Sequence, residues 1–390
     1  LTYGDHNVVA FMLYRKKPWV SPTINRNMGE WRRKESIRAM TGMGLREDQL
    51  VFLGYPDNGT LEIWRRHWGE RPAFHSTLTN TDKVPYENSP VHGHLHKGEV
   101  LLEDIKSIIA AYGPTHIFVS HPADGNMDHQ AFWLFTRVAL WDLAHQGEPT
   151  GKKLAPSLLA YPIHFRLWPA PLGYFPEEPM TIPETMDNDP ANWYELKLAP
   201  LETEKKHEAI LAYRSQLQFR KDYLRAFARS TEIFANVPEF RLSQAGKPVF
   251  TTSGMETEEE PWLAAQEAET AAPATVNYSL GENGLSVNLE VENPKMIKRG
   301  LGFYIFGYRR DVPFALMPKL YAVYYRAGLA IYDQDPRKVV RRIVLKNPEE
   351  RGSFTIEWDW LNQPEKVLIQ AHGVKDAMPL WQTSWRLLIR

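Results

Sequence analysis

Asp128 and His129 place a carboxylate beside an imidazole, a pairing that can bind a metal ion or move a proton. The apolar run at residues 115–119 predicts a buried strand before this pair, and the apolar run at residues 130–143 predicts a buried helix after it. The pair therefore lies beyond the carboxyl end of a strand, where α/β enzymes hold reactive groups. Asp128 could also serve as the N-cap of the helix, whereas a histidine has no such role there.

The composition limits the class of function. The chain has 390 residues, a formal net charge of −1 and no cysteine. This length is sufficient for two domains, and the balanced charge argues against a nucleic acid as the partner. Without cysteine, only histidines and carboxylates can hold a transition metal ion. No apolar run reaches the length of a membrane span, and the cellular compartment is left undetermined by the sequence.

Residues 126–129 are similar to the carboxy-terminal motif of the PIG-L/LmbE family of zinc-dependent N-acetylglucosamine-type deacetylases, which is His-Pro-Asp-His at the start of a helix. Other segments resemble, in order, the end of that family's second strand, its Arg-x-x-Glu helix, its loop with an Asp-Gly pair and its late helix: residues 1–7, 29–35, 53–59 and 213–216. The ordered set is more specific than any single segment. It identifies residues 1–235 as similar to this family.

The resemblance implies a role for several residues. His129 matches the family's carboxy-terminal zinc ligand, and Asp128 matches the carboxylate that orients neighbouring histidine chemistry. Arg32 matches the substrate-binding arginine, whose planar fork of donors suits sugar hydroxyls or a phosphate. The alternative for Arg32 is a surface ion pair with Glu35, one helical turn away.

The resemblance also implies substrate contacts near two asparagines. Asp57 and Asn58 match the loop that contacts sugar hydroxyls, although turn chemistry alone would also select these residue types. Asn126 is the main departure, because the family usually has a histidine there, and an amide can donate a hydrogen bond but cannot deliver a proton. We expect Asn126 to donate to the oxyanion or the substrate. Three histidines are candidates for the missing acid, each with a structural role as the alternative: His6, His121 and His164.

A second departure concerns the start of the chain. The family's first strand ends in His-Pro-Asp-Asp-Glu, which supplies two zinc ligands and the general base, and that motif is absent here. Because Leu1 falls where the second strand should end, we expect an upstream segment that supplies the first strand and two further ligands for one zinc ion. The alternative is a natural pseudoenzyme.

The pattern of the chain predicts two folded units. Residues 1–240 alternate helix and strand signals, which predicts a Rossmann-like, mostly parallel sheet with flanking helices. Residues 241–272 read as an acidic linker. Residues 273–390 change to the two-residue period of half-buried strands, with a turn signal at Asn283-Gly284, and predict an antiparallel β-sandwich.

Two functions from different classes remain open at this point. The first is a zinc-dependent hydrolase that removes the acetyl group from an N-acetylated amino sugar or a related glycoconjugate, using an activated water. The second is a non-catalytic glycan-binding or interaction protein, in which the α/β pocket lacks its metal and the β-sandwich binds the partner. Both imply a small-molecule or glycan ligand.

Overall fold

A computed structural model describes the following parts of the chain: residues 1–6, 21–146, 155–165, 167–186, 189–243, 251–253, 274–291, 300–325, 328–334, 339–344, 352–375 and 378–390. Among these residues, no helix is long and apolar enough to cross a membrane.

Helices and one small sheet alternate in the first part of the chain. The described helices are α1 (Pro22–Gly42), α2 (Thr60–Arg66), α3 (Gly98–Tyr112), α4 (Met127–Gln146), α5 (Pro200–Leu211) and α6 (Arg214–Arg225). The strands are β1 (His116–Ser120), β2 (Ser157–Tyr161), β3 (Asn192–Lys197) and β4 (Thr231–Asn236), in the order β1-β2-β4-β3.

This sheet is mixed rather than mostly parallel. β1 and β2 run parallel, but β4 runs antiparallel to both of its neighbours. The prediction of a mostly parallel sheet is wrong for the described strands, because β4 returns through α5 and α6 in the direction opposite to β2 and β3. An α/β architecture is confirmed. The Rossmann-like topology stays a prediction.

Local sequence signals explain where several helices begin and end. The side chain of Ser21 accepts a hydrogen bond from the Ile24 amide, with Pro22 in the first helical position of α1. α3 ends at Gly113, whose φ of 60° lies in the left-handed region that glycine adopts without strain. α4 is apolar on all sides because it is central: Trp133, Phe135 and Val138 are fully buried.

The rest of the described chain forms two further sheets, one of eight strands and one of four. Their strands are β5 (Glu239–Arg241), β6 (Thr251–Ser253), β7 (Ala274–Leu280), β8 (Gly284–Val291), β9 (Leu301–Tyr308), β10 (Lys319–Tyr325), β11 (Gly328–Asp333), β12 (Val339–Val344), β13 (Ser353–Glu357), β14 (Lys366–Lys375), β15 (Met378–Gln382) and β16 (Arg386–Ile389). One sheet has the order β12-β11-β10-β9-β14-β16-β5 with β15 beside β14, and the other has the order β13-β8-β7-β6.

The two sheets are almost entirely antiparallel, with β16 and β5 as the parallel pair. Residues of both contribute to one apolar core, among them Val287 and Ile356 from one sheet and Phe303 and Ile369 from the other. The predicted antiparallel β-rich character of this region is confirmed. The sandwich remains our proposal for how the sheets pack.

Several contacts cross the boundaries between the predicted domains. β5 lies at the end of the predicted first domain and β6 lies in the predicted linker, yet both pair with strands of the third segment. A second apolar core joins helices α2 and α4 to the carboxy-terminal sheet, with Trp64, Phe135, Phe306 and Trp385 among its buried residues. The division into residues 1–240, 241–272 and 273–390 stays a prediction.

Candidate functional site

The turn between β1 and α4 positions the predicted pair Asp128–His129. Asn126 caps the helix: its side-chain oxygen accepts from the Asp128 amide at 2.9 Å and from the His129 amide at 3.3 Å. The expectation that Asp128 is the N-cap is therefore wrong. Asp128 lies two residues inside the helix, where its side chain is free to contact a neighbouring loop.

Asp128 holds the loop that precedes α2. Its carboxylate accepts from the Asn58 amide at 2.6 Å, from the Thr60 amide at 3.0 Å and from the Thr60 hydroxyl at 2.5 Å. Burial, together with the nearby Asp57 carboxylate, raises the pKa of Asp128 to about 7. The structure therefore brings Asp57, Asn58 and Asp128 together, as the family resemblance implies.

Asp124 is the residue that the sequence analysis missed. It is fully buried, and its Oδ1 accepts from the Asn126 amide at 2.9 Å and from His164 Nδ1 at 3.1 Å. Its Oδ2 accepts from the amides of Ile163 and His164, each at 3.1 Å, and lies 3.1 Å from His129 Nδ1. Burial alone would raise the pKa of Asp124, but the contacts with His129 and His164 hold it well below its usual range. The sequence signal that could have identified Asp124 was its position four residues before Asp128.

His129 and His164 face each other above Asp124, with ring centroids 4.8 Å apart. His129 Nδ1 is buried and lies at an angle to Asp124 outside hydrogen-bond geometry. Burial alone would lower the pKa of His129, but the Asp124 carboxylate raises it. One potential ligand atom from each of the three residues lies within 4.8 Å of the others. Two imidazoles and a carboxylate are a donor set that suits zinc.

Arg32, on α1, is also buried. It donates to the Gly4 carbonyl, and its Nε has no hydrogen-bond partner among the described residues. Burial lowers the pKa of Arg32, with Asp57, Glu35 and Asp5 acting in the opposite direction. The alternative of a surface ion pair with Glu35 is wrong, because both residues are buried.

Glu35 instead joins two of the resemblance segments. Its carboxylate accepts from the Ser215 amide at 2.9 Å and from the Ser215 hydroxyl at 2.6 Å, and thus caps the start of α6. Trp31 donates to the same carboxylate at 2.9 Å. The Arg-x-x-Glu helix and the late helix are therefore coupled physically as well as in sequence order.

Two further residues line the wall near Arg32. Asp5 is buried and accepts from the Tyr86 hydroxyl, and burial raises the pKa of Asp5 to about 6. His6 is exposed, with its amide donating to Asp57 at 2.9 Å and its ring 2.9 Å from Asn58 Nδ2. Asp5 lies inside a segment that the resemblance covers, but no pattern distinguished it from its neighbours.

The three candidate acids have different surroundings. His121 is fully buried, accepts from the Ala123 amide at 3.1 Å and stacks on Trp193, and burial lowers its pKa to about 4. Its role is structural. His6 contacts the Asp57 loop from the exposed side. His164 is the candidate that lies beside His129.

Comparison with known proteins gives one match. Residues 5–140 match the family model described as PIG-L: GlcNAc-PI de-N-acetylase. This range includes Arg32, Asp57, Asp124 and His129, but not His164. No curated protein and no solved structure showed a significant match to the chain.

Proposed function

We propose, because residues 5–140 match the PIG-L family model, that the protein is a zinc-dependent hydrolase. It would cleave the linear amide C–N bond of an N-acetylated amino sugar or a related glycoconjugate and release acetate. The observation that supports this proposal most directly is the convergence of Asp124, His129 and His164 at the start of α4. The loop at Asp57 and Asn58 lies next to it through Asp128.

The three residues fit a zinc site in which two of them bind the ion and the third holds those two in place. Both imidazoles turn Nδ1 towards Asp124, so the Nε2 atom of each is left to bind a metal ion through its lone pair. Both Asp124 oxygens already accept hydrogen bonds, and a carboxylate behind a metal-bound histidine fixes its tautomer and orientation. His129 and His164 would therefore hold the ion, and Asp124 would orient His164 through a hydrogen bond and act on His129 through its charge. When bound, zinc lowers the pKa of water and polarises the amide carbonyl.

The other residues would bind and orient the substrate. Asn126 uses its side-chain oxygen as the helix cap, so its Nδ2 group remains to donate to the substrate oxygen where negative charge develops. Arg32 offers a planar fork of donors, and Asp57 and Asn58 offer acceptor and donor groups for sugar hydroxyls. Asp128 fixes the loop that carries the last two.

Zinc affinity tests the metal site directly. We would compare the wild-type chain with His129→Gln, His164→Gln and the control His116→Gln, whose exposed ring lies beside Thr115. Loss of either proposed ligand should weaken zinc binding by more than about a hundredfold, since even residues behind the ligands are worth 10–100-fold. The control should bind as the wild type does.

The pattern of losses is informative. Unchanged zinc affinity in His129→Gln would overturn the metal site. Unchanged affinity in His164→Gln, with loss of turnover, would reassign His164 from the metal to the substrate.

Acetate release tests the activity. The zinc-loaded natural protein at full length should release acetate from N-acetylglucosamine-type substrates, and a chelator or His129→Gln should abolish this release. A zinc-loaded protein that binds such sugars and releases no acetate would favour the non-catalytic glycan-binding alternative.

A further inference from the structure

We infer that the carboxy-terminal sheet helps to position the site. Gln370 on β14 is a positioning residue for the turn that carries Asp124. The expected effect on turnover and zinc binding rests on the proposed function. The mechanical link between Gln370 and the turn does not, and it can be measured separately.

Gln130 makes the first step of this link. It follows His129 on α4, and its Nε2 donates to the Asp124 carbonyl at 2.8 Å. Gln370 makes the second step, because its Nε2 donates to Gln130 Oε1 at 3.1 Å. Both glutamines are fully buried. Water therefore cannot replace either partner without a rearrangement of the core.

The direction of each amide is fixed from both ends. Arg65 donates to Gln370 Oε1 at 2.9 Å, and a guanidinium can only donate. Gln370 Nε2 also donates to the Thr383 carbonyl at 3.0 Å, and a carbonyl can only accept. The chain Arg65–Gln370–Gln130–Asp124 thus has a single consistent polarity.

Arg65 links this series of hydrogen bonds to α2, whose first residue contacts Asp128. Its guanidinium lies 4.3 Å above the ring of Tyr304 on β9, which anchors the end of α2 on the carboxy-terminal sheet. α2 begins at Thr60, whose amide and hydroxyl donate to Asp128. Gln370 therefore connects, through two different routes, to both Asp124 and Asp128.

A second contact from the same sheet supports the turn. Arg386 on β16 donates to Asp189 at 2.8 Å, and both side chains are buried. Asp189 and Arg386 lie close enough to His121 to influence its pKa. The carbonyl of His121 accepts from the Asp124 amide at 3.0 Å, so Arg386 is linked to the turn indirectly, through Asp189 and His121.

Substitutions at Gln370 separate shape from hydrogen bonding. In Gln370→Glu the carboxylate can still accept from Arg65 but cannot donate to Gln130 or to the Thr383 carbonyl. In Gln370→Met all of these bonds are lost at similar volume. The matched control is Gln363→Met, which makes the same change at an exposed position of the same region.

The primary measurement is amide hydrogen exchange in the full chain. Both Gln370 variants should exchange at least about tenfold faster at residues 121–130, because the turn has lost its buried partner. Exchange at residues 276–279, in the centre of β7 in the other sheet, should be unchanged. The control Gln363→Met should match the wild type in both segments.

Zinc affinity and kinetics follow from the same variants. We expect a roughly 10–100-fold loss of zinc affinity and a lower kcat in both variants. KM should stay nearly constant in Gln370→Glu, because this variant keeps the contact with Arg65 and therefore the route to the loop of Asp57 and Asn58. If Gln370→Met does not fold, Gln370→Glu supplies both readouts. Where both single variants fold, the double variant Gln130→Met/Gln370→Met should lose less zinc affinity and less kcat than the sum of the single changes.

Two outcomes separate the inference from the proposed function. Unchanged exchange at residues 121–130 in both Gln370 variants would overturn the positioning role. Faster exchange in these variants, together with no acetate release by any protein including the wild type, would confirm the link and contradict the hydrolase.

Discussion

The α/β region and the two carboxy-terminal sheets bury different kinds of side chain. The α/β region encloses charged groups such as Asp5, Arg32 and Asp124, whereas the core between the two sheets is built from residues such as Val287 and Phe303. Buried charge is costly unless it is paired, so the buried charges around Arg32 and Asp124 indicate a function rather than stability.

The carboxy-terminal sheet has buried polar residues on the side that meets the α/β region. Gln370, Thr383 and Arg386 are examples, and each belongs to a contact that leads towards the turn at Asp124. The sheet therefore contributes buried polar contacts to the α/β region, and it also buries Lys319 on β10. The predictions below test whether the two regions are as interdependent as these contacts indicate.

Dissection of the chain should give the largest effect. A fragment of residues 239–390 keeps β5 and β6, whereas a fragment of residues 273–390 loses both strands. We expect the shorter fragment to unfold at a temperature lower by roughly 10 °C or more, since about 1 kcal/mol shifts the Tm of such a unit by 4–8 °C. Circular dichroism of both fragments measures this. Equal Tm values would support the division at residue 273.

A cavity at the shared core should give the next largest effect. Trp64 is fully buried and its ring contacts Phe135 in the α/β region and Phe306 and Trp385 in the sheet. Trp64→Ala should cost about 3–5 kcal/mol and keep a single unfolding transition. The exposed Tyr112→Ala is the control. Two separate calorimetric transitions in Trp64→Ala would show that the regions fold independently.

The buried Lys319 should make stability depend on pH. Its ammonium donates to the carbonyls of Phe314 and Met317, and burial lowers its pKa from 10.5 to about 7. Between these values the unfolded chain binds the proton and the folded chain releases it, so this residue contributes a stability that rises with pH. Below about pH 7 both states are charged and the burial penalty is complete.

The test uses Lys319→Met, with the exposed Lys205→Met as the control. The free energy of unfolding of Lys319→Met, relative to that of the wild type, should be highest near pH 6 and should fall progressively towards pH 10. Chemical denaturation at several pH values measures the difference. A constant difference over this range would show that Lys319 does not titrate in the folded state there.

The smallest expected change in stability concerns Asn126. Asn126→Ala loses the helix cap and should cost about 1 kcal/mol, whereas Asn126→Asp keeps an acceptor for the same amides. Both lose the Nδ2 donor and should lower kcat by roughly one to two orders of magnitude. Asn126→His restores a group that can donate a proton. Full activity in Asn126→Asp would mean that Nδ2 does not contact the substrate.

The sequence alone determined the local features of the site. The strand predicted at residues 115–119 is present at residues 116–120, the helix after it is confirmed, and the helix start does carry Asp128 and His129. Each depends on residues within a few positions of one another, because apolar periodicity and helix ends are short-range properties. The family resemblance of the first region was readable for the same reason, since its motifs are contiguous.

The tertiary structure decided which side chains share a task. Asn and Asp are equally good N-caps, and the choice between Asn126 and Asp128 was made by the Asn58 amide, 70 residues away in the chain, which takes the Asp128 carboxylate as its acceptor. His164 reaches Asp124 across 40 residues. Such pairings form because a buried polar group must find a partner in space, and a sequence gives no distance between segments that meet only after the chain has folded.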